Sequence, residues 1–169
     1  MYYQIIRQFA FTLKNLDAIL TKAERYADAR GFDVNNLLSA RLAPDMLPFV
    51  AQVRIACDNA KFAAANLAKR EAPKHEDNEK SFEELHARIA KVLTFLDGFS
   101  EADFAQTKPD TKIPLAYPPG KFMHAIDYAT GRQIPNFYFH VVTAYDILRQ
   151  GGVELSKVDY LGAIPMLDS

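Results

Sequence analysis

Four stretches of this chain repeat apolar side chains at intervals of three and four residues, the spacing that places them on one face of an α-helix. The stretches span residues 2–27, 46–67, 82–96 and 134–148. Each is long enough for a helix that crosses a small domain, and strands do not alternate with them as they would in an α/β protein. The pattern therefore predicts an all-α fold, a four-helix bundle.

The flanking residues predict where the first two helices begin and end. The first helix is expected to end near Gly31, because glycine suits the left-handed conformation that closes a helix. The second helix is expected to begin near Pro44 or Asp45 and to run to about Arg70. Pro48 is compatible with this helix only in its first turn, where a missing N–H costs no hydrogen bond.

The third and fourth helices carry their own boundary signals. Ser81 and Glu84 form a capping-box pattern, in which a hydroxyl and a carboxylate accept hydrogen bonds from free amides at a helix start. This third helix is expected to end near Gly98. In the fourth, Pro135 either starts the helix or kinks one that has already begun near Asp127.

Residues 107–126 differ in character from the rest of the chain, because four prolines interrupt two short apolar runs. Prolines exclude a helix here and favour a small hairpin or an irregular crossover. The segment is long enough to span a bundle, so the predicted fold is a four-helix bundle with a long crossover before the last helix. The final residues, 153–169, lack a clear period and are expected to pack on the bundle as a strap.

Length and charge narrow the classes of protein to which this chain can belong. Its 169 residues suit a single domain over residues 1–169, and the formal net charge is -1. A balanced charge attracts neither nucleic acid nor an anionic membrane, so neither is expected as a partner. No apolar run approaches a membrane span of about 18 residues and the N-terminus lacks a signal-peptide core, which predicts a cytoplasmic protein.

The second helix has apolar side chains on two faces. Leu47, Ile55 and Phe62 lie opposite its main apolar stripe. A second apolar face is either buried within the bundle or offered to another chain. This face makes a homodimer a reasonable expectation.

The densest cluster of candidate functional residues lies in the fourth helix. Asn136 and His140 are four residues apart and therefore neighbours on one helical face. A neutral imidazole can coordinate a metal ion, whereas an amide oxygen is a weaker ligand without charge. The favoured alternative is structural: a buried His140 that hydrogen-bonds a neighbour, and an Asn136 that satisfies amides near Pro135.

A second polar row lies on helix two, where Asp45, Gln52 and Asn59 recur every seven residues along one edge of the apolar stripe. Their polar groups could face a groove in the bundle. Periodicity alone favours the other interpretation, a boundary row half in water.

The remaining reactive residue types form no recognisable catalytic motif. No HExxH, GxSxG, Gly-rich phosphate loop or paired-carboxylate signature occurs. His75, His86 and His124 have no metal-ligand spacing with one another and are expected to be packing or surface residues. Cys57 lies among apolar residues and cannot form an intramolecular disulfide, so we expect a buried, inert thiol. The mixed charges of residues 69–77 are expected to form solvated surface.

Several short segments, distributed from the second helix to the tail, carry a family resemblance. They are ARLAPDM at residues 40–46, QVRIACD at 52–58, PNFYFH at 135–140, YDILR at 145–149 and DYLG at 159–162. With these segments the chain resembles a domain-of-unknown-function family in the DinB/YfiT-like superfamily of proposed metalloenzymes. The resemblance covers nearly the whole chain and implies a four-helix bundle, often dimeric.

The superfamily also implies a site. Its members hold a divalent metal with one histidine of the second helix and an HxxxH pair of the fourth, and some are thiol-dependent transferases or hydrolases of small molecules. By position, His140 matches the last ligand, Asn136 the first of the pair, and Gln52 the ligand of helix two. Two of these three positions hold amides, which bind zinc or nickel less tightly than imidazoles do.

Two functions remain open from the sequence. One is a metal-dependent hydrolase or thiol transferase in which zinc or nickel on His140, Asn136 and Gln52 polarises water or a thiol. The other, which we favour, is a non-catalytic bundle, or one with a degenerate metal site, that binds a small ligand or a partner in a polar pocket. No cofactor follows with certainty from this donor set.

Overall fold

The four predicted helices are present and form a bundle. The computed structural model describes residues 1–164 and Met166, and it confirms the predicted all-α four-helix bundle with a crossover before the last helix. The bundle is built from α1 (Tyr2–Arg30), α2 (Phe49–Leu67), α3 (Phe82–Asp97), α4 (Ala125–Asp127), a π-helical segment (Tyr128–Gln133) and α5 (Ile134–Gln150). The smaller elements are 3₁₀-helices at Val34–Ser39 and Glu101–Phe104, strands β1 (Lys112–Pro114) and β2 (Phe122–His124), and helix α6 (Lys157–Leu161).

Stacked aromatic rings join the helices at the core. Phe9 of α1 stacks on Phe137 of α5 with ring centroids 4.2 Å apart, and Phe49 of α2 stacks on Phe82 of α3 at 5.5 Å. All four rings are buried, and such offset pairs stabilise a core beyond their area alone. Small side chains on α2 allow its neighbours to approach closely; the buried alanines are Ala56, Ala60, Ala63, Ala64 and Ala65.

The helix ends agree with the sequence at some points and differ at others. Gly31 closes α1 in the left-handed conformation with φ 72°, as predicted. Helix α2, however, begins at Phe49 with Pro48 as its N-cap, four residues later than the latest predicted start. Proline disfavours the helical conformation for the residue before it, so the helix cannot extend back past Pro48. Its end comes at Leu67, because Lys69 adopts a positive φ of 55°.

The crossover contains the expected small hairpin. Strands β1 and β2 pair antiparallel with Ile113 opposite Met123, and Ile113 is buried against the bundle. Pro114 ends β1, and the chain turns through residues 115–121 before β2 begins. The hairpin thus brings residues 114–116 beside α2, where they form part of the site described below.

The fourth bundle helix begins at Ala125 and changes its hydrogen-bond pattern before Pro135. In the π segment the amide of Ile134 donates to the carbonyl of Ala129, five residues back. Pro135 has no N–H to continue an α-helical ladder, and wide turns of this kind satisfy the backbone around such a gap. The structure therefore selects the second of the two predictions for Pro135, an irregularity within a helix that has already begun.

The tail packs on α1 as predicted for the part that the structure describes. Val153 and Leu155 are buried, Asn15 donates to the Tyr160 carbonyl at 3.1 Å, and Lys22 pairs with Asp159 at 2.6 Å. Pro165 and residues 167–169 lie outside the described residues. Within the described part of the chain, no helix combines the length and apolarity that a membrane span requires.

The loop before α3 is held by an ion-pair cluster that the sequence did not predict. The guanidinium of Arg88, only 1% exposed, lies 2.6 Å from Asp77, 2.8 Å from Glu79 and 2.9 Å from Asp58. The Asp58 contact has ion-pair distance without hydrogen-bond alignment. Arg54 pairs with Glu79 at 2.6 Å, so Glu79 attaches the loop to α2 and α3. The Lys, Arg, Asp and Glu residues of 69–77 are exposed, as predicted.

We expect Arg88→Met to lower the free energy of unfolding by about 3 kcal/mol, since it leaves partly buried carboxylates without their cation. Arg7→Met is the matched control, because the Arg7–Asp97 pair is exposed and contributes less than about 1 kcal/mol. Urea unfolding followed by circular dichroism measures both. Equal losses for the two variants would show that the Arg88 cluster does not anchor the loop.

Candidate functional site

A row of polar side chains joins α2 to α5, and we call Gln52, Asn59, Asn136 and His140 the polar seam. The Gln52 side-chain oxygen lies 2.7 Å from Nδ1 of His140, and the Asn136 amide donates to the Asn59 side-chain oxygen at 2.8 Å. Gln52, Asn59 and His140 are buried, and Asn136 is half-buried. The row expected half in water is therefore internal, because its polar groups are paired across the two helices.

The hydrogen bonds of Gln52 fix the state of His140. The Gln52 side-chain amide donates to the carbonyl of Leu47 at 2.9 Å, so the side-chain oxygen is the atom that faces the imidazole. That oxygen can only accept, which makes Nδ1 of His140 the donor and leaves Nε2 as the acceptor of a neutral ring. Burial lowers the pKa of His140, which favours the same neutral form.

A second polar group continues the seam toward the crossover. The hydroxyl of Tyr128 accepts hydrogen bonds from the side-chain amides of Asn66 at 2.8 Å and Gln133 at 2.9 Å. Gln133 also contacts the Asn59 carbonyl at 3.4 Å, which connects this group to the seam. Burial raises the pKa of Tyr128, opposed by the Asn66 hydrogen bond and by the charge of Arg132, so the hydroxyl stays protonated at neutral pH.

The π segment explains why Tyr128 and Gln133 meet. Residues five apart on an α-helix point about 140° away from each other. A π turn has a wider repeat, with hydrogen bonds between residues five apart, and so stacks such residues on one side. The irregular turn before Pro135 therefore directs both side chains toward α2.

These groups line a cavity of about 390 Å³, which we call the crossover cavity. The polar wall consists of Asn59, Asn66, Tyr128 and Gln133, with Arg132 beside them. The apolar part of the lining comes from α2 and the end of β1; it consists of Phe62, which lies between Asn59 and Asn66 on α2, and Pro114, Leu115 and Ala116. A cavity of this size, with an apolar wall and convergent polar groups, is typical of a small-molecule site.

The three residues that the resemblance assigns to a metal do not fit a zinc or nickel site. Gln52 uses its amide oxygen to accept from His140, and Asn136 donates to Asn59 rather than facing Gln52. Zinc and nickel sites in proteins need several imidazole, thiolate or carboxylate ligands, whereas this set offers one imidazole and two neutral amides. Among the described residues, no group of three or more His, Cys, Asp or Glu could hold a metal. Metal binding by these residues stays a prediction.

The other reactive residue types lie outside the seam. Burial raises the pKa of the Cys57 thiol to about 12, so it is the inert thiol that the sequence predicted. His86 lies between Asp17 and Glu24 on the surface, and His124 contacts the Asp110 carbonyl. A cleft of about 310 Å³ beside Arg88 is lined mostly by charged side chains of the loop and α3, several of them already paired with one another.

Most residues that line the crossover cavity were not predicted from the sequence. Asn66 continues the seven-residue spacing of Gln52 and Asn59, and this was the signal that could have found it. Asp45, the first member of that row, lies exposed before α2 and does not join the seam. Tyr128, Arg132 and Gln133 belong to no motif, because their convergence depends on the π segment.

Comparisons with known proteins agree with the resemblance. The family model described as Domain of unknown function (DUF1993) matches residues 1–161. The chain is also similar to a crystal structure described as that of a DinB family member protein from Shewanella denitrificans. The sequences are 46% identical, the similarity covers 99% of this chain and 95% of that chain, and the TM-score is 0.94. Among the curated proteins, none matches. Neither description states a reaction or a ligand.

We expect the pKa of His140 to lie below 6.5 and to rise in Gln52→Glu, because a carboxylate beside Nδ1 stabilises the imidazolium. Gln52→Leu is the control, since it removes the partner without adding charge and should leave the pKa low. Nitrogen-detected NMR titration of the ring measures all three proteins. An unchanged pKa in Gln52→Glu would mean that His140 does not contact position 52 in solution.

Proposed function

This chain belongs to the family described as Domain of unknown function (DUF1993), and from this premise we propose that it is a non-catalytic helical bundle that binds a small organic ligand in the crossover cavity. One observation carries the proposal. The buried polar groups of Tyr128 and Gln133 converge with Asn66 on a cavity whose lining also contains apolar side chains of α2 and the crossover. We further propose that the protein acts in the cytoplasm, as the sequence predicts.

The chemistry of the cavity favours binding over reaction. Its polar wall is made of amides and one protonated phenol, none of which is a nucleophile or a base at neutral pH. The neutral imidazole of His140 is committed through Nδ1 to Gln52, and the thiol of Cys57 is buried with a raised pKa. These groups can orient and select a ligand by hydrogen bonding and shape.

The alternative remains a metal-dependent hydrolase or thiol transferase that acts on a small molecule. It requires a divalent metal on His140, Asn136 and Gln52, and the donor set and its hydrogen bonds argue against that. Elemental analysis of protein purified without a metal-affinity tag separates the two functions. Stoichiometric zinc or nickel that is lost in His140→Ala supports the enzyme, and its absence after challenge with both metals supports the binding protein.

We expect the neutral probe phenylacetamide to bind the crossover cavity with a Kd on the order of 1 mM. Binding should shift the side-chain amide NMR signals of Asn59, Asn66 and Gln133. Ala116→Trp should abolish these shifts because the larger side chain at this lining position fills the cavity, whereas Ala18→Trp, on the exposed face of α1, should leave them unchanged. Amide shifts that persist in Ala116→Trp would place the probe elsewhere.

The proposal extends to a homodimer through the outer surface of α2 and the residues before it. Leu47 is 50% exposed and Phe62 44% exposed, while Ile55 is half-buried. Helix α5, packed beside α2, adds the exposed side chains Phe139 and Val142. Exposed apolar side chains on two adjacent helices favour contact with another apolar surface, and a second copy supplies one of the same shape.

We expect light scattering to give twice the chain mass of 19.0 kDa for the native protein and the single mass for a triple Leu47→Gln, Ile55→Gln, Phe62→Gln variant. The control is Phe122→Gln with Val158→Gln, which changes exposed apolar residues away from this surface. Circular dichroism confirms that both variants fold. An unchanged mass in the triple variant would remove this surface as the interface.

A further inference from the structure

One charged side chain stands apart on the wall of the crossover cavity. Of the described residues that line it, Arg132 alone is formally charged, and none of them is Asp or Glu. Its one hydrogen bond to a described residue is long, 3.4 Å to the carbonyl of Tyr117. The cavity therefore presents an uncompensated positive charge beside its neutral polar groups.

The other arginines show why this placement is unusual. Where an arginine of the described chain is at least partly buried, as Arg54 and Arg88 are, a carboxylate lies within ion-pair distance. Arginines without a carboxylate are otherwise exposed; they are Arg25, Arg30, Arg41 and Arg149. Among the described arginines, Arg132 alone is partly buried without a carboxylate of a described residue within ion-pair distance. No ion pair with a described residue competes for the Arg132 guanidinium, so an incoming anion can bind it directly.

The shape of the cavity indicates which anion fits. A guanidinium binds a carboxylate through two parallel hydrogen bonds, and its planar donors match that geometry. The lining also contains the apolar side chains of Phe62, Pro114 and Leu115, which offer an inorganic anion no hydrogen bond. A carboxylate attached to an apolar body uses both the charged and the apolar parts of the lining.

We infer that the crossover cavity is a site for small organic monocarboxylates, with Arg132 binding the carboxylate and Phe62, Pro114 and Leu115 contacting the apolar body. The inference rests on the proposed function, because it names the class of ligand that the same cavity takes. It assigns no reaction to that ligand. The inference requires the ligand to be negatively charged, whereas the proposed function alone is also met by a neutral ligand.

The test compares three probes with the full chain by calorimetry at neutral pH and constant ionic strength: phenylacetate, its neutral analogue phenylacetamide, and acetate. Phenylacetate is expected to bind at least about tenfold more tightly than either of the others. Phenylacetamide lacks the charged hydrogen-bonding group and acetate lacks the phenyl ring, and each loss is expected to weaken binding by at least this factor. The side-chain amides of Asn66 and Gln133 report by NMR that the probe occupies this cavity.

Substitutions then assign the charge to Arg132. Arg132→Gln should reduce the preference for phenylacetate over phenylacetamide to less than about twofold, and Arg132→Lys should retain part of it, because lysine keeps the charge but loses the paired donors. Arg149→Gln is the matched control: Arg149 is also a helix arginine with one 3.4 Å hydrogen bond to a backbone carbonyl, but lies outside the cavity. It should behave as the native protein does.

The outcomes separate the inference from the function on which it rests. Equal binding of phenylacetate and phenylacetamide overturns the carboxylate assignment and leaves the cavity as a ligand site. Binding of neither overturns both. If acetate binds as tightly as phenylacetate, the apolar side chains do not contribute to binding. If Arg132→Gln still prefers phenylacetate over phenylacetamide, Arg132 is not the source of that preference.

Discussion

The polar seam between α2 and α5 is the constraint on which the rest of this structure depends. Buried polar groups are tolerated only when they are paired, and here each side chain is satisfied from the opposite helix or from its own backbone. The pairs run antiparallel, since Gln52 contacts His140 and Asn59 contacts Asn136. A shift of either helix along the other would leave these groups without partners, so the seam fixes the register of α2 against the fourth helix.

That fixed register also places the crossover cavity. Asn59 belongs to the seam and lines the cavity, and Asn66 follows it after two further turns of α2. Because the hydroxyl of Tyr128 contacts Asn66, the π segment is held at the same end of the bundle as β1. The cavity is therefore lined largely by elements that the bundle core already holds in place. A site of that kind is largely formed before its ligand arrives.

Charge is treated differently on the side of α2 that faces α3 and on the side that faces the crossover. Beside α3, the buried cation Arg88 is matched by three carboxylates, and the cluster attaches a loop to the bundle. Beside the crossover, no carboxylate of the described part of the chain lies within ion-pair distance of Arg132. A folded protein normally compensates a partly buried charge, as the first cluster does. This contrast within one chain supports the inference that Arg132 is part of a binding site.

The predictable part of this structure was the part governed by helical periodicity. The apolar stripes of α1 and α3 and the cap at Gly31 follow from local rules that a sequence displays directly. The pairing of Gln52 with His140 was foreseen only as a meeting of two distant segments, and its hydrogen-bond roles required coordinates. Arg88 was hidden among the apolar positions of α3, because its carboxylate partners come from a loop and another helix.

The π segment shows most clearly why the rest could not be read from sequence. Two alternatives for Pro135 were left open, and the choice between them decides where Tyr128 and Gln133 point. If the α-helix started at Pro135, Tyr128 would lie outside it and no helical turn would bring Tyr128 and Gln133 together. A wide turn before Pro135 instead stacks the two side chains, and Gln133 reaches the Tyr128 hydroxyl at 2.9 Å. The polar wall of the cavity is thus a consequence of how the backbone accommodates one missing N–H, and no side-chain motif records it.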